Sequence, residues 1–291
     1  MNINFIMLLF VNSIAYGSLL FLIASGFSLI FGLMKITNLT HAVFYMMGSY
    51  IGLTVVRATG SFTLACVAAA VIVPIIGLIV FKFFLFKLQG NQQAQVLLCL
   101  AFLFFFDDLL FVVFGGTPSR IPTPRLLAWS LPLFGMRFPV YRLFLIGVGA
   151  FIAAALFLIV EKTKIGCLVR SGVDDDEITT AMGVNIDRLF VLVYLAGTML
   201  AAVGGVLGGV FIGMEPRMCF SIMPLALAVV IIGGLGNLQG AFFGSIIVGL
   251  LDTFGRAYLP DFAYFTLFFP MALVLAFKPN GLFSSGKAVE A

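Results

Sequence analysis

The chain has 291 residues, of which 62% are hydrophobic and only 10% charged, with a net charge of +4. A soluble domain carries roughly 25% charged residues, and the mean hydropathy here is +1.20, so lipid rather than water surrounds most of this surface. The composition excludes a soluble globular domain, the small net charge gives no sign of a nucleic-acid partner, and the lack of strict alternation in ten-residue segments excludes a transmembrane β-barrel.

An all-α polytopic membrane protein remains, as one transmembrane domain over 1–291. A helix needs roughly 20 apolar residues to cross a bilayer, and in chain order the runs predict spans at 5–31, 39–57, 62–86, 94–114, 141–160, 189–213 and 262–277, with a broken span over 222–256. The first run is too long for a signal-peptide core and lacks a basic leader, so it reads as a retained helix. The broken span holds a short run at 222–235, then GGLGNLQG (Gly233 to Gly240), then 240–256. Non-helical backbone at membrane depth needs surrounding protein or a wet cavity, so the short run at 222–235 is either a broken or re-entrant segment or a full helix. The expectation is about eight crossings, 240–256 among them, plus the broken or re-entrant piece at 222–235.

Two stretches read as extramembranous. Residues 115–142 hold five prolines, the lone Trp129 and the arginines Arg120, Arg125, Arg137 and Arg142, which predicts an irregular surface loop with an interfacial tryptophan. The second is the polar segment 161–188, where Glu177 precedes Gly183 by six residues. That spacing suits a short surface helix ended by glycine, a shape that docks into a cleft on a soluble partner. Alternate loops place nine Lys and Arg on the side of 161–188 and seven on the other, so the positive-inside rule leans towards a cytoplasmic 161–188.

Glycines at close-approach spacing mark helix contacts. Gly204 and Gly208, offset by Gly205 and Gly209, form overlapping GxxxG patterns, and Gly26, Gly32, Gly48 and Gly52 read the same way. Lipid supplies no hydrophobic drive between helices, so small residues that let backbones approach supply the packing, within the bundle or against a second subunit. The four cysteines, Cys66, Cys99, Cys167 and Cys219, form no CxxC pair and read as packing residues.

Charge inside apolar runs is the candidate chemistry, because it costs about 2.5–3.5 kcal/mol at a helix centre. Asp107 and Asp108 lie in FLFFFDDLLFVVF, and Asp252 lies in VGLLDTFG. These acids either face a wet path, where they would suit an amino group, or sit near headgroups or pair with an arginine such as Arg256. Asn38 and His41 open the second span after a polar break; a single histidine without Cys, Asp or Glu beside it makes no metal site. Asn38-Leu39-x-x-Ala42 also resembles Asn237-Leu238-x-x-Ala241, an echo short enough for chance to supply. Gly281 to Lys287 fits GxxxxGK, but Ala288 follows where the Mg²⁺-binding hydroxyl belongs, with no strand before or helix after it.

Several motifs together carry a family resemblance. GLMKITNLTHAVFYMMGSYIG is similar to the first signature of LivH-like permeases of branched-chain amino acid ABC importers, matched at Gly32, Leu33, Lys35, Asn38, His41, Phe44, Tyr45, Met46, Gly48 and Tyr50. A second signature is met by Thr163, Gly166, Arg170, Ala181, Gly183 and Asn185, a third by Gly233 to Gly244, and a C-terminal one by Lys278 to Phe283. The chain departs from the family pattern at Thr40, Ala42, Val43 and Ser171.

The resemblance implies a type II ABC importer-like permease in a bacterial plasma membrane, with 161–188 and the C-terminus cytoplasmic. It implies ATP-binding subunits, a second permease subunit and an extracytoplasmic substrate-binding protein as partners, with no cofactor and no enzymatic step in this chain. It places Glu177, Ala181 and Gly183 in the segment that couples to the ATPase, and Asn38 and His41 in the first signature. The alternative is a proton-coupled carrier of a small polar solute using the buried acids.

Overall fold

Polar side chains at the breaks set where the membrane helices begin. Asn91, Asn185 and Asn237 each accept a hydrogen bond from the backbone N–H three residues on, at 3.0–3.1 Å, and Ser61 does so at 3.3 Å. Each thereby satisfies one of the orphan donors of a helix start. The computed structural model describes residues 3–34, 38–133, 136–174 and 176–283; Lys35, Gly286, Lys287 and Ala288 among the residues considered above lie outside them.

The elements run α1 (Ile3–Met34), α2 (His41–Thr59), α3 (Phe62–Val80), α4 (Gln92–Phe114), β1 (Ser130–Leu133), β2 (Met136–Pro139), α5 (Val140–Lys162), α6 (Lys164–Asp174), α7 (Asp176–Ala181), α8 (Ile186–Phe211), α9 (Met218–Gly233), α10 (Leu238–Tyr258) and α11 (Ala263–Phe277). Short π and 3₁₀ turns at Phe81–Leu85 and Phe86–Leu88 finish α3. Among the described residues, α1, α3, α4, α5, α8, α10 and α11 together with the 3₁₀ turn that leads into it (Pro260–Phe277) are long and apolar enough to cross a membrane, and α9 is a shorter apolar helix of 16 residues. The broken stretch therefore forms two helices, α9 and α10, joined by a tight turn with Gly234 and Gly236 at positive φ.

Helix α2, in the apolar run expected to span at 39–57, is less apolar than these. It is enclosed instead: His41 to Tyr50 are all buried, packed by α3, α8 and α9. A helix surrounded by protein has no need of a lipid-compatible surface. By contrast α3, α4, α5 and α11 turn residues such as Val71, Phe105, Phe151 and Phe269 outwards, the face that acyl chains cover.

The helices alternate in direction, so the β1–β2 hairpin and the α6–α7 segment lie at opposite ends of the bundle, separated by the 23 residues of α5, roughly 35 Å at helical rise. The hairpin pairs Ser130 with Pro139 through Leu133 with Met136, giving the expected irregular loop a defined core. Its preceding stretch is no loose surface loop either. Ile121 is fully buried, its N–H donating to the Gly209 carbonyl at 3.1 Å, and Ser119 and Met214 exchange backbone hydrogen bonds at 2.8 and 2.7 Å.

The glycine seam lies inside the bundle. A Cβ added at Gly26 would lie 2.5 Å from the Gly197 carbonyl oxygen, while one at Gly48 or Gly205 would strike backbone of Ala202 or Tyr45. Helices α1, α2 and α8 thus meet backbone to backbone. Gly208 accommodates the Tyr45 ring, Gly209 accommodates Ile121, and Gly204 faces Leu22 and Tyr45 more loosely. Ser49 fixes the register by donating to the Gly205 carbonyl at 2.7 Å.

Candidate functional site

A cavity of about 960 Å³ opens at the hairpin end between α1, α9, α10 and α11, within the size range of small-molecule sites. Asp252 on α10 lines it, and its Oδ2 accepts from Arg256 Nε at 2.8 Å, one helical turn on. The carboxylate is almost fully buried while the Arg256 side chain is 58% exposed. Ile222, Leu225, Leu267 and Phe268 supply apolar wall. Pro224 brings no N–H to the Phe220 carbonyl one turn earlier, so α9 has a spare acceptor at the residues that border this space.

Beside the cavity, Arg217 gathers the other two membrane acids. It is the N-cap of α9 and, among the described residues, the one non-glycine at positive φ, 64°. Such a conformation is disfavoured by roughly 1–2 kcal/mol for an L-residue. From it the guanidinium reaches Asp107 at 3.7 Å and Asp108 at 4.0 Å. Asp107 is buried and also accepts from the Cys219 thiol at 3.4 Å, whereas the Asp108 side chain is 69% exposed. The packing role expected of Cys219 thus includes a polar bond that sequence spacing gives no sign of.

The end of α8 is closed by Arg120, whose Nε and Nη2 donate to the carbonyls of Val210 and Phe211 at 2.9 and 3.0 Å. A cation on the last carbonyls of a helix answers both their missing donors and the helix dipole. Arg120→Ala is expected to lower stability by about 1–2 kcal/mol, read as a fall in Tm in detergent, with Arg125→Ala in the turn before the hairpin as the unaffected control.

Asn38 and His41 lie apart from the cavity. Asn38 Nδ2 donates to the Tyr194 hydroxyl at 3.2 Å and its Oδ1 accepts from the Cys99 thiol at 3.6 Å. Thr40 donates to the Cys99 carbonyl at 3.2 Å, and His41 Nε2 lies 3.1 Å from the Ile23 carbonyl, which selects the Nε2–H tautomer. These groups are all buried and tie α2 to α1, α4 and α8. Among the described residues, His41 Nδ1 has no partner; the void lined by His41, Phe27 and Leu227 measures about 10 Å³, room for about one water. The two echoed asparagines serve different ends, since Asn38 cross-links helices, whereas Asn237 caps α10 and donates to the Phe283 carbonyl at 2.7 Å.

At the opposite end, α6 packs on α1 and α5, with an Arg170–Glu161 ion pair across the break. Helix α7 carries the backbone of Glu177 and ends at exposed Ala181 and Met182. Gly183 at φ 84° closes it, donating to the Thr180 carbonyl at 2.9 Å. The third and C-terminal signatures also meet here: Leu282 donates to the Ile232 carbonyl at 2.9 Å, and Gly281, at φ 89°, packs against Gly234.

An enclosed glycine-seamed core and an apolar outer surface define a polytopic helical membrane protein. The chain belongs to the family described as branched-chain amino acid transport system / permease component, whose model matches residues 9–277. It is 25% identical over 287 residues to the high-affinity branched-chain amino acid transport system permease protein BraD of Pseudomonas aeruginosa, covering 94% of each chain. It is likewise 25% identical to the LivH permease protein of the corresponding system in Escherichia coli, covering 93% of each. Among solved structures, PsaBC from Streptococcus pneumoniae in complex with Fab aligns with a TM-score of 0.50 at 14% identity, over 91% of this chain and 89% of that one, a likeness of fold.

Proposed function

We propose that this chain is a membrane-spanning permease subunit of an ATP-driven importer in a bacterial plasma membrane, carrying branched-chain or related amino acids handed over by an extracytoplasmic binding protein. The observation that carries the reading is the family match across 9–277, together with relatives named as branched-chain amino acid permeases that align along nearly their whole length. ATP hydrolysis belongs to separate ATP-binding subunits, and no catalytic residue is assigned here.

The exposed charges support a path on the flank formed by α4, α9 and α11. Asp108, Arg217 and Arg256 are well exposed there, and Asp108 lies about 10 Å of helix rise below the end of α4. Charge at such depth is costly against lipid, so this flank suits a wet path shared with a second permease subunit. Asp252 and Asp108 then border the path. Asp107 positions Arg217, and Asn38 and His41 form the joint about which α2 and α8 shift. Glu177, Ala181 and Gly183 form the contact to the ATPase, with 161–188 and the C-terminus cytoplasmic. The proton-coupled alternative has no support from the family, and the arginine partners of Asp107 and Asp252 remove its chief motive.

Affinity capture of the tagged protein from native membranes in mild detergent, with mass spectrometry of what accompanies it, tests the assembly. ATP-binding subunits and a second hydrophobic permease are expected. Recovery of the chain alone across several mild detergents would overturn the importer reading.

A further inference from the structure

We infer that the cavity at the hairpin end is a station for an amino-acid zwitterion, with the Asp252–Arg256 pair reading its charged ends and the α9–α11 wall taking its side chain. The inference rests on the importer reading and adds to it a specific site within this one subunit.

The pair is set up asymmetrically. Arg256 bonds Asp252 through Nε alone, so among the described residues its two Nη groups have no hydrogen-bond partner. A guanidinium carries five donors in a planar fork that matches a carboxylate in bidentate fashion. Asp252 uses Oδ2 for Arg256, leaving Oδ1 as acceptor for an ammonium group. The Phe220 carbonyl, which receives no N–H from Pro224, and Glu215, both bordering the cavity, add acceptors for the same ammonium. Arg120 is committed to the α8 carbonyls, which leaves Arg256 as the cation for the ligand carboxylate.

The charges facing the space are Asp252 and Glu215 against Arg120 and Arg256, a balance that suits a ligand carrying one charge of each sign rather than a bare anion or cation. Ile222, Leu225, Leu267 and Phe268 offer branched and aromatic contact to an aliphatic side chain. The half-exposed arginine also suits transit: a station must hold its solute weakly enough to release it.

The test uses the whole importer in proteoliposomes with its binding protein, and leucine bearing a diazirine on its side chain as probe. Illumination during turnover, followed by peptide mapping, is expected to label α9 and α11 around Ile222, Leu267 and Phe268. Arg256→Gln is expected to reduce that labelling at least tenfold. Arg256→Lys, which keeps the charge but loses the fork, is expected to fall between the two. Uptake of the probe with labels confined to other helices, or labelling unchanged by Arg256→Gln, would overturn the station while leaving the importer intact. Failure of the unaltered complex to take up the probe with ATP present would instead overturn the importer reading and the station with it. Should Arg256→Gln not assemble with its ATPase subunits, the label map of the unaltered complex and the Arg256→Lys value decide the matter.

Discussion

Replacing Gly205 with leucine is expected to be the most damaging single change in the bundle. The Cβ position at Gly205 is already occupied by the Tyr45 carbonyl, with Ser49 N at 3.0 Å, and neither is the yielding end of a side chain. Helices α2 and α8 must therefore separate, which also breaks the Ser49 to Gly205 hydrogen bond. Overpacking in a tight core costs about 1–3 kcal/mol and more when backbone has to move, and lipid offers no hydrophobic drive to press the helices back together. A loss on the order of 3 kcal/mol is expected, seen as a collapse of monodisperse yield and of Tm in detergent. Gly204→Ala serves as the internal control, because its Cβ would meet Leu22 Cβ at 3.3 Å, a contact that a shift of a few tenths of an ångström relieves. Wild-type stability for Gly205→Leu would refute the backbone-to-backbone seam.

Gly183→Val is expected to act on function instead. Nothing lies within 4 Å of a Cβ added at Gly183, so the penalty comes from φ 84° alone, about 1–2 kcal/mol and most severe for a β-branched residue. It falls on the turn between α7 and α8, outside the membrane core. Under the coupling proposal, stimulated ATPase activity and uptake should drop at least tenfold while the Tm of the bundle stays near that of the parent. Gly183→Asn, which tolerates the left-handed region, should retain most activity. Normal uptake by the valine variant would remove Gly183 from the coupling contact; normal uptake by Glu177→Ala would do the same for that carboxylate.

Much of this architecture was legible because its signals are local. The apolar runs placed most of the crossings, and a pairing of Asp252 with Arg256 was among the readings that the sequence offered for that acid. The GxxxG runs announced close packing, but their partner was not readable: the glycines of α8 meet α1 and α2 within the same chain, and only folding pairs Gly205 with Tyr45. The same limit hid the bond between Asp107 and Cys219, which lie 112 residues apart, and the insertion of Ile121 beneath α8. Proline-rich stretches read as loops, and the physical reason this one is ordered lies in carbonyls at a distant helix end that need donors. Asn38 and His41 stood out by polarity, yet polarity alone does not separate a solute contact from a buried cross-link.

The enclosure of α2 bears on how the protein is made. Its neighbours α1 and α3 are long and apolar enough to cross a membrane, whereas α2 is less apolar, and its main partner α8 is synthesised well over one hundred residues later. During biogenesis α2 is carried into the membrane between two more apolar helices and holds His41 and Ser49, with Asn38 just ahead of it, against lipid or translocon until α8 arrives. Biogenesis should therefore stall at that stage when α8 is truncated, leaving an intermediate that membrane quality-control proteases can recognise by the uncovered polar groups of α2.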